Sequence, residues 1–214
     1  MYCTKKITDD LTWVGANDRR LAMFEGVYSV PNGVSYNSYL LCDDKTVLFD
    51  TVDKAVSKIF FENVAHTLGE RKLDYIVVHH MEPDHSGSIR LIKQHYPDIV
   101  LVGNKKTFDM VEGYYGVTGE RLVVADGDSL NVGHHKLNFY LIPMVHWPET
   151  MVTFDSTEGI LFAGDAFGCF GALNGGCIDK DINTDIYWNE MRRYYSNIVG
   201  KFGNPVQKAL QKCS

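Results

Sequence analysis

Apolar residues recur along the chain with two periods, and the alternation between them lays out the fold. The run RLAMFEGVYSV and the segment SYNSYLLCDDKTVLFD, both within the first fifty residues, are rich in aromatic and β-branched side chains, and CDD interrupts the second as a hairpin turn would. Residues 54–68 then place Val56, Ile59, Phe60, Val64 and Leu68 at helical spacing. KLDYIVVHH predicts a buried strand, SGSIRLIKQHYP a helix capped by Ser86 or Ser88, IVLVG a further strand, and KKTFDMVEGYY a helix closed by Gly116. From 121 to 165 short β-rich runs broken by Gly and Asp return. After DINTD a last helical region begins, with Ile186, Trp188, Met191, Tyr194, Tyr195 and Ile198 as its large side chains. This order predicts two sheets packed face to face with helices outside, an αββα sandwich.

Composition narrows the class. A chain of 214 residues, 45% hydrophobic and 22% charged, has the makings of one globular domain, and no repeat or low-complexity segment divides it. Its net charge of −6, with no basic cluster denser than the Arg pairs at 19–20 and 192–193, argues against nucleic acid as a partner. No apolar stretch approaches a membrane span and MYCTKKITDDLTW lacks the apolar core of a signal peptide, so the expectation is a cytoplasmic protein with no membrane partner. Cys3, Cys42, Cys169, Cys177 and Cys213 are odd in number and widely spaced, which fits reduced thiols.

The chemistry concentrates in HHMEPDHSG, residues 79–87, directly after the apolar YIVV. In an extended segment His80, Glu82 and Asp84 point to one side while His85 diverges from Asp84, so that one loop serves two neighbouring cations. Pro83 stiffens the loop and Gly87 permits a tight turn into the next helix. A polar surface loop with incidental histidines would account for this string alone. IPMVHWPETM, however, puts His146 after a second apolar strand, and GILFAGDAFG puts Asp165 after a third. Three strands ending in donors predict a metal site. His79 faces the opposite side and reads as core or as a support behind the ligands; His134 and His135 sit at a VGHHK turn and read as solvated; His66 and His95 fall in helices as surface or half-buried residues.

HHMEPDHSG, HWPETM and LFAGDAFG, in this order and spacing and together with GVSYNSYLL and FDTV, resemble the diiron domain of the flavodiiron proteins (A-type flavoproteins), a branch of the metallo-β-lactamase superfamily. The resemblance covers nearly the whole chain. It implies an αββα sandwich of the metallo-β-lactamase type over residues 1–214 and a non-haem site of two iron ions that reduces dioxygen, nitric oxide or both. Residue by residue it implies His80, Glu82 and His146 on one iron, Asp84 and His85 on the other, and Asp165 bridging them; the matching His85 is sometimes turned away in the family. Tyr195 matches a tyrosine lining the pocket. Glu25 stands where many members carry a histidine, and would place a carboxylate and a proton near the bound gas. Asp50 is placed to orient a ligating histidine, and Cys169 reads as a small buried filler. Hydrolases of the superfamily resemble H-x-H-x-D-H, whereas Glu82 here supplies a third carboxylate; that set suits redox-active iron or manganese, while zinc cannot change valence.

In the family a flavodoxin-like domain carrying FMN follows, usually serving the irons across a head-to-tail homodimer, and a last histidine for the second iron is expected just after NPVQKALQKCS. The resemblance therefore implies a domain lacking its C-terminal end, FMN only from a missing domain or a partner, and a flavodoxin-like or rubredoxin-like electron donor. Three functional readings follow: a reductase of dioxygen or nitric oxide, an oxygen-binding diiron sensor without turnover, and a zinc hydrolase of the wider superfamily.

Overall fold

In the computed structural model, which describes residues 2–213, the β-rich runs assemble mainly into two sheets. The larger orders its seven strands as Lys5–Lys6, Leu11–Trp13, Tyr39–Cys42, Thr46–Phe49, Tyr75–Val77, Val100–Gly103 and Arg121–Val123. The last four run parallel, and the helices Ser57–Leu68, Ile89–His95 and Lys105–Tyr115 make the crossovers between them. Parallel strands joined this way bring their carboxyl ends to one edge, where the residues after Phe49 and Val77 fall. The smaller sheet is antiparallel throughout: Ser129–Asn131, Lys136–Leu141, Met151–Asp155 and Ile160–Phe162.

Side-chain alternation along the central strands divides the interior in two. Leu40, Leu48, Ile76 and Leu101 face the helices and join Phe60, Val64, Ile92, Phe108 and Val111 in one apolar cluster. Leu41, Val47, Phe49, Val77 and Val102 face the smaller sheet and join Leu137, Phe139, Met151 and Phe162. Phe49 stacks on Phe162 across that gap, with ring centroids 3.9 Å apart. A strand buried on both faces has no polar side, and Thr46–Phe49 is buried at every position. Val152, on the smaller sheet, shares the first cluster with Val199, Val206 and Ala209 of the terminal helices, which gives the αββα layering its fourth layer.

Several local expectations shift. RLAMFEGVYSV is a hairpin of two short strands, Met23–Phe24 and Tyr28–Ser29, turning through Glu25 and Gly26, both at positive φ. Ile59 is 40% exposed because Val56, Phe60, Val64 and Leu68 already fill the buried stripe of their helix. Of SGSIRLIKQHYP only Ile89–His95 is helical; Pro83–Ser86 forms a separate turn, and Ser88 makes no side-chain cap bond. The terminal region is Trp188–Tyr194, then a π-helical turn Tyr195–Val199, then Gly203–Cys213. Among the described residues no helix is long and apolar enough to cross a membrane. The five cysteines are free.

The expectation of a solvated His135 is wrong, while His134 beside it is exposed as expected. The His135 ring is buried, with Nε2 2.7 Å from Asp10 and Nδ1 2.6 Å from Asp155, and its backbone N–H donates to Asp43. Two carboxylates, one before a strand of the larger sheet and one ending a strand of the smaller, thus draw the turn inward. Burial alone would lower the imidazole pKa, but the bonds to Asp10 and Asp155 outweigh it and hold the pKa above the ordinary value. A raised histidine pKa stabilises the fold fully below the unfolded value near 6.5, and that stabilisation fades as pH rises through the folded value. The substitution His135→Gln is therefore expected to cost about 1–3 kcal/mol at pH 6, the partly exposed Asp10 being screened by solvent, and less at higher pH. Urea denaturation of both chains across pH 6–9 measures it; a pH-independent difference would show that the imidazole charge plays no part.

Candidate metal centre

Six donors converge where the carboxyl ends of the parallel strands meet the smaller sheet. Tyr75–Val77 delivers His80 and Glu82; the helical turn Pro83–Ser86 carries Asp84 and His85; His146 precedes Met151–Asp155; Asp165 follows Ile160–Phe162. They form two groups, His80, Glu82, His146 and Asp165, and Asp84, His85 and Asp165, the donor atoms of each lying within 4.8 Å of one another. In the first, His146 Nε2 stands 3.0 Å from Glu82 Oε2 and 3.3 Å from Asp165 Oδ2, and His80 Nε2 lies 3.2 and 3.5 Å from the same two oxygens. In the second, His85 Nε2 lies 2.6 Å from Asp165 Oδ1 and 3.6 Å from Asp84 Oδ2. Asp165 thus turns one oxygen to each group. Spacings just above 3 Å are those of donors sharing an ion at about 2.0–2.2 Å.

The local fold differs from the extended loop in one respect. His80 and Glu82 do share a side, but Glu82 sits at the N-cap of a helical turn with Pro83 at its start, so the turn, not β alternation, aims Asp84 and His85. Gly87 takes an ordinary helical φ of −59°; it is needed for space, since a Cβ there would meet Pro83 O at 2.6 Å. Among the described residues four non-glycine ones adopt positive φ, Glu25, Asp50, Met144 and Phe167, and all lie in the segments around the donors. Strain of this kind persists only where surrounding contacts enforce it.

Electrostatics follow from packing three carboxylates together. Burial, opposed by His85 and reinforced by Asp165 and Glu82, pushes the Asp84 carboxyl up to about 7, and its Oδ1 is buried without a hydrogen-bond partner. A hydrogen bond to Glu82, with burial, raises Glu25 to about 8. Burial would raise Glu82 as well, but bonds from His146 and His80 bring it down to about 2. Burial works against charge on His80 and His146 too, yet Glu149 and Glu82 hold the first, and Asp165 and Glu82 the second, up at about 9. An orphaned carboxylate oxygen, and buried carboxylates balanced by protons on the imidazoles facing them, fit a cation at both positions.

Around the donors, His79 is core as expected. Its ring bonds Asp50 (2.9 Å) and Thr153 (2.7 Å), and its N–H donates to the other Asp50 oxygen. Asp50 also faces His85 Nδ1, at 3.6 Å. Tyr195 does not line the pocket: it is 45% exposed, and Tyr194 beside it points inward instead, 7% exposed, where burial and the Asp165, Asp84 and Glu82 carboxylates hold its hydroxyl pKa well above the usual value. Glu25 reaches Glu82 from an exposed rim. Cys169 is half-buried, its thiol pushed up to about 11 by burial and Glu190, which keeps it protonated. Sequence reasoning passed over Glu149, whose Oε1 lies 2.9 Å from His80 Nδ1; a carboxylate in an apolar stretch three residues after His146 was the available signal.

Comparison with known proteins places this geometry in context. Residues 34–207 match the family described as ODP family beta lactamase. The chain is 34% identical over 208 residues to a nitric oxide reductase of Moorella thermoacetica, covering 96% of this chain and 52% of that protein. It is 33% identical to the anaerobic nitric oxide reductase flavorubredoxin of Vibrio vulnificus, with 98% and 43% covered. Among solved structures, the rubredoxin oxygen:oxidoreductase of Desulfovibrio gigas superposes with a TM-score of 0.92 at 30% identity, covering 98% of this chain and 52% of that one. The flavodiiron protein of Giardia intestinalis gives 0.92 at 27%, with 99% and 51% covered. The chain spans about half the length of these relatives.

Asp84 carries the test of the electrostatic account. A carboxyl whose folded pKa lies above its unfolded value loses stability as pH rises between the two, from about 4 to 7. In metal-free protein, Asp84→Asn is expected to match the parent at pH 4 and to be more stable by about 1–3 kcal/mol above pH 7. Chelator-treated samples followed by urea denaturation give the comparison, and a less stable variant at pH 8 would contradict it.

Proposed function

The chain belongs to the ODP family of β-lactamases, and on that footing we propose that it is the diiron portion of a reductase of dioxygen, nitric oxide or both. The observation that carries the reading is Asp165, with Oδ2 among the donors of one group and Oδ1 among those of the other. His80, Glu82 and His146 would hold one iron, Asp84 and His85 the other, and Asp165 would bridge them. Bound as a ferrous pair, the ions supply two electrons at one place. Three carboxylates beside three imidazoles favour such a redox-active metal over zinc.

The chain's own residues prepare that place. His80 and His146 both present Nε2 to Glu82 and Asp165. Glu25 would hold a proton at the rim, shared with Glu82, and Tyr194 one near Asp165, so that two proton donors stand beside the site. A cavity of about 800 Å³, lined by Phe24, Tyr36, Phe49, Phe162 and Tyr194 together with polar residues such as Ser35 and Asn37, reaches Asp84, His85 and Asp165. Electrons would come from a separate flavodoxin-like or rubredoxin-like donor, with FMN supplied by a partner or a further domain. A cytoplasmic, head-to-tail homodimer is the assembly this arrangement calls for.

The two positions are unequal. His79 and His135 are bonded elsewhere, His66 stacks on Tyr2, the His95 ring bonds the Leu91 carbonyl, and His134 is exposed, which leaves His85 as the one imidazole of the second group among the described residues. The second metal is therefore held more weakly. Protein purified without air is expected to contain iron, to lose the metal beside Asp84 and His85 first under a chelator, and to lose occupancy at both positions in Asp165→Asn. With a reduced donor it should consume dioxygen or nitric oxide over many turnovers. Two zincs, no iron and hydrolytic activity would overturn the reading.

A further inference from the structure

Glu149 is 1% exposed and belongs to none of the donor groups, yet it touches the ligand loop twice. Its Oε1 lies 2.9 Å from His80 Nδ1 and accepts the backbone N–H of Met81, also at 2.9 Å. Its Oε2 is buried and finds no hydrogen-bond partner among the described residues, so the carboxylate directs its bonding through a single oxygen. The backbone N–H of Met81 can only donate, which fixes Oε1 as an acceptor and His80 Nδ1 as the protonated nitrogen facing it. When His80 gives up its other proton to bind a metal, the lone pair is on Nε2, the atom turned to Glu82 and Asp165. His85 has a different carboxylate behind it: Asp50, both of whose oxygens bond His79, stands 3.6 Å from His85 Nδ1, and Glu149 does not reach that ring.

We infer that Glu149 is a positioning residue for the first metal: it sets the His80 tautomer, adds negative charge behind that ligand, and ties the ligand loop to the segment carrying His146. Because Glu149 touches His80 and not His85, its charge distinguishes the two metals. Carboxylates behind ligating histidines raise ligand basicity, and their loss typically costs 10–100-fold in metal affinity. The inference rests on the assignment of these donors to metals, but not on which metal binds.

The test uses cobalt(II) and zinc rather than iron. Glu149→Gln keeps an acceptor oxygen for His80 and Met81 and removes only the charge. Cobalt titration followed by absorbance is expected to show the first position weakened about 10–100-fold in Glu149→Gln, with the second unchanged. In the zinc-loaded chain the His80 Nδ1 proton is expected far downfield by NMR and to move upfield in the variant. Equal weakening at both positions would make Glu149 a general structural support, and no weakening would make its charge irrelevant; either result overturns the inference. Failure to bind iron, with these cobalt and zinc results intact, would count against the diiron reading alone.

Discussion

Three carboxylates share a space from which most water is excluded, and the rest of the site is organised around that repulsion. Glu82 and Asp165 are drawn into the ionised form by imidazoles, while Asp84, with an oxygen that nothing bonds, is pushed toward the neutral one. Hydrogen bonds within the protein do not resolve the conflict; two cations would. The scaffold withstands it because His80, Glu82 and His146 lie next to strands that are paired on both sides by main-chain hydrogen bonds. Tyr75–Val77 lies between parallel neighbours, and Met151–Asp155 between antiparallel ones.

Support also comes from the layer behind the donors. His79 and Asp50 bond one another between the sheets, and His79 reaches Thr153 on the smaller one, so the end of the ligand-bearing strand is fixed from both sides. Ser86 adds a further brace, donating to the carbonyls of Met81 and Glu82 while pairing with the Tyr115 hydroxyl. Such contacts restrict where the loop backbone can go and leave its side chains to do the chemistry.

The layered architecture was legible because strands buried on both faces, such as TVLF and YIVV, have no polar alternation, and because amphipathic helices alternate with them. The donor residues were legible for a related reason: carboxylates and imidazoles directly after apolar strands are costly to bury unless a cation or a charged partner meets them there. What escaped depended on tertiary partners. His135 sits in a turn whose local chemistry favours solvent, and only Asp10 and Asp155, distant in sequence, reverse that preference. Tyr194 and Tyr195 are equivalent by composition, and the packing of the terminal helices on the apolar cluster decides which faces inward. Glu149 looked like part of a loop because its partner, His80, lies 69 residues away.

Gly87 has a consequence for how such a protein changes over generations. The backbone there lies bare against Pro83 O, and a Cβ would stand 3.4 Å from Val52 O and 3.3 Å from Lys54 N, so the loop and the neighbouring strand end meet main chain to main chain. No side chain mediates that contact, and mutation of surrounding side chains leaves the path of the loop in place. Exchange of a single donor on a fixed path, a histidine for Glu82 for example, alters the charge of the site without disturbing its frame. The charge that the loop presents can thereby change while the main-chain contact that sets its path stays as it is.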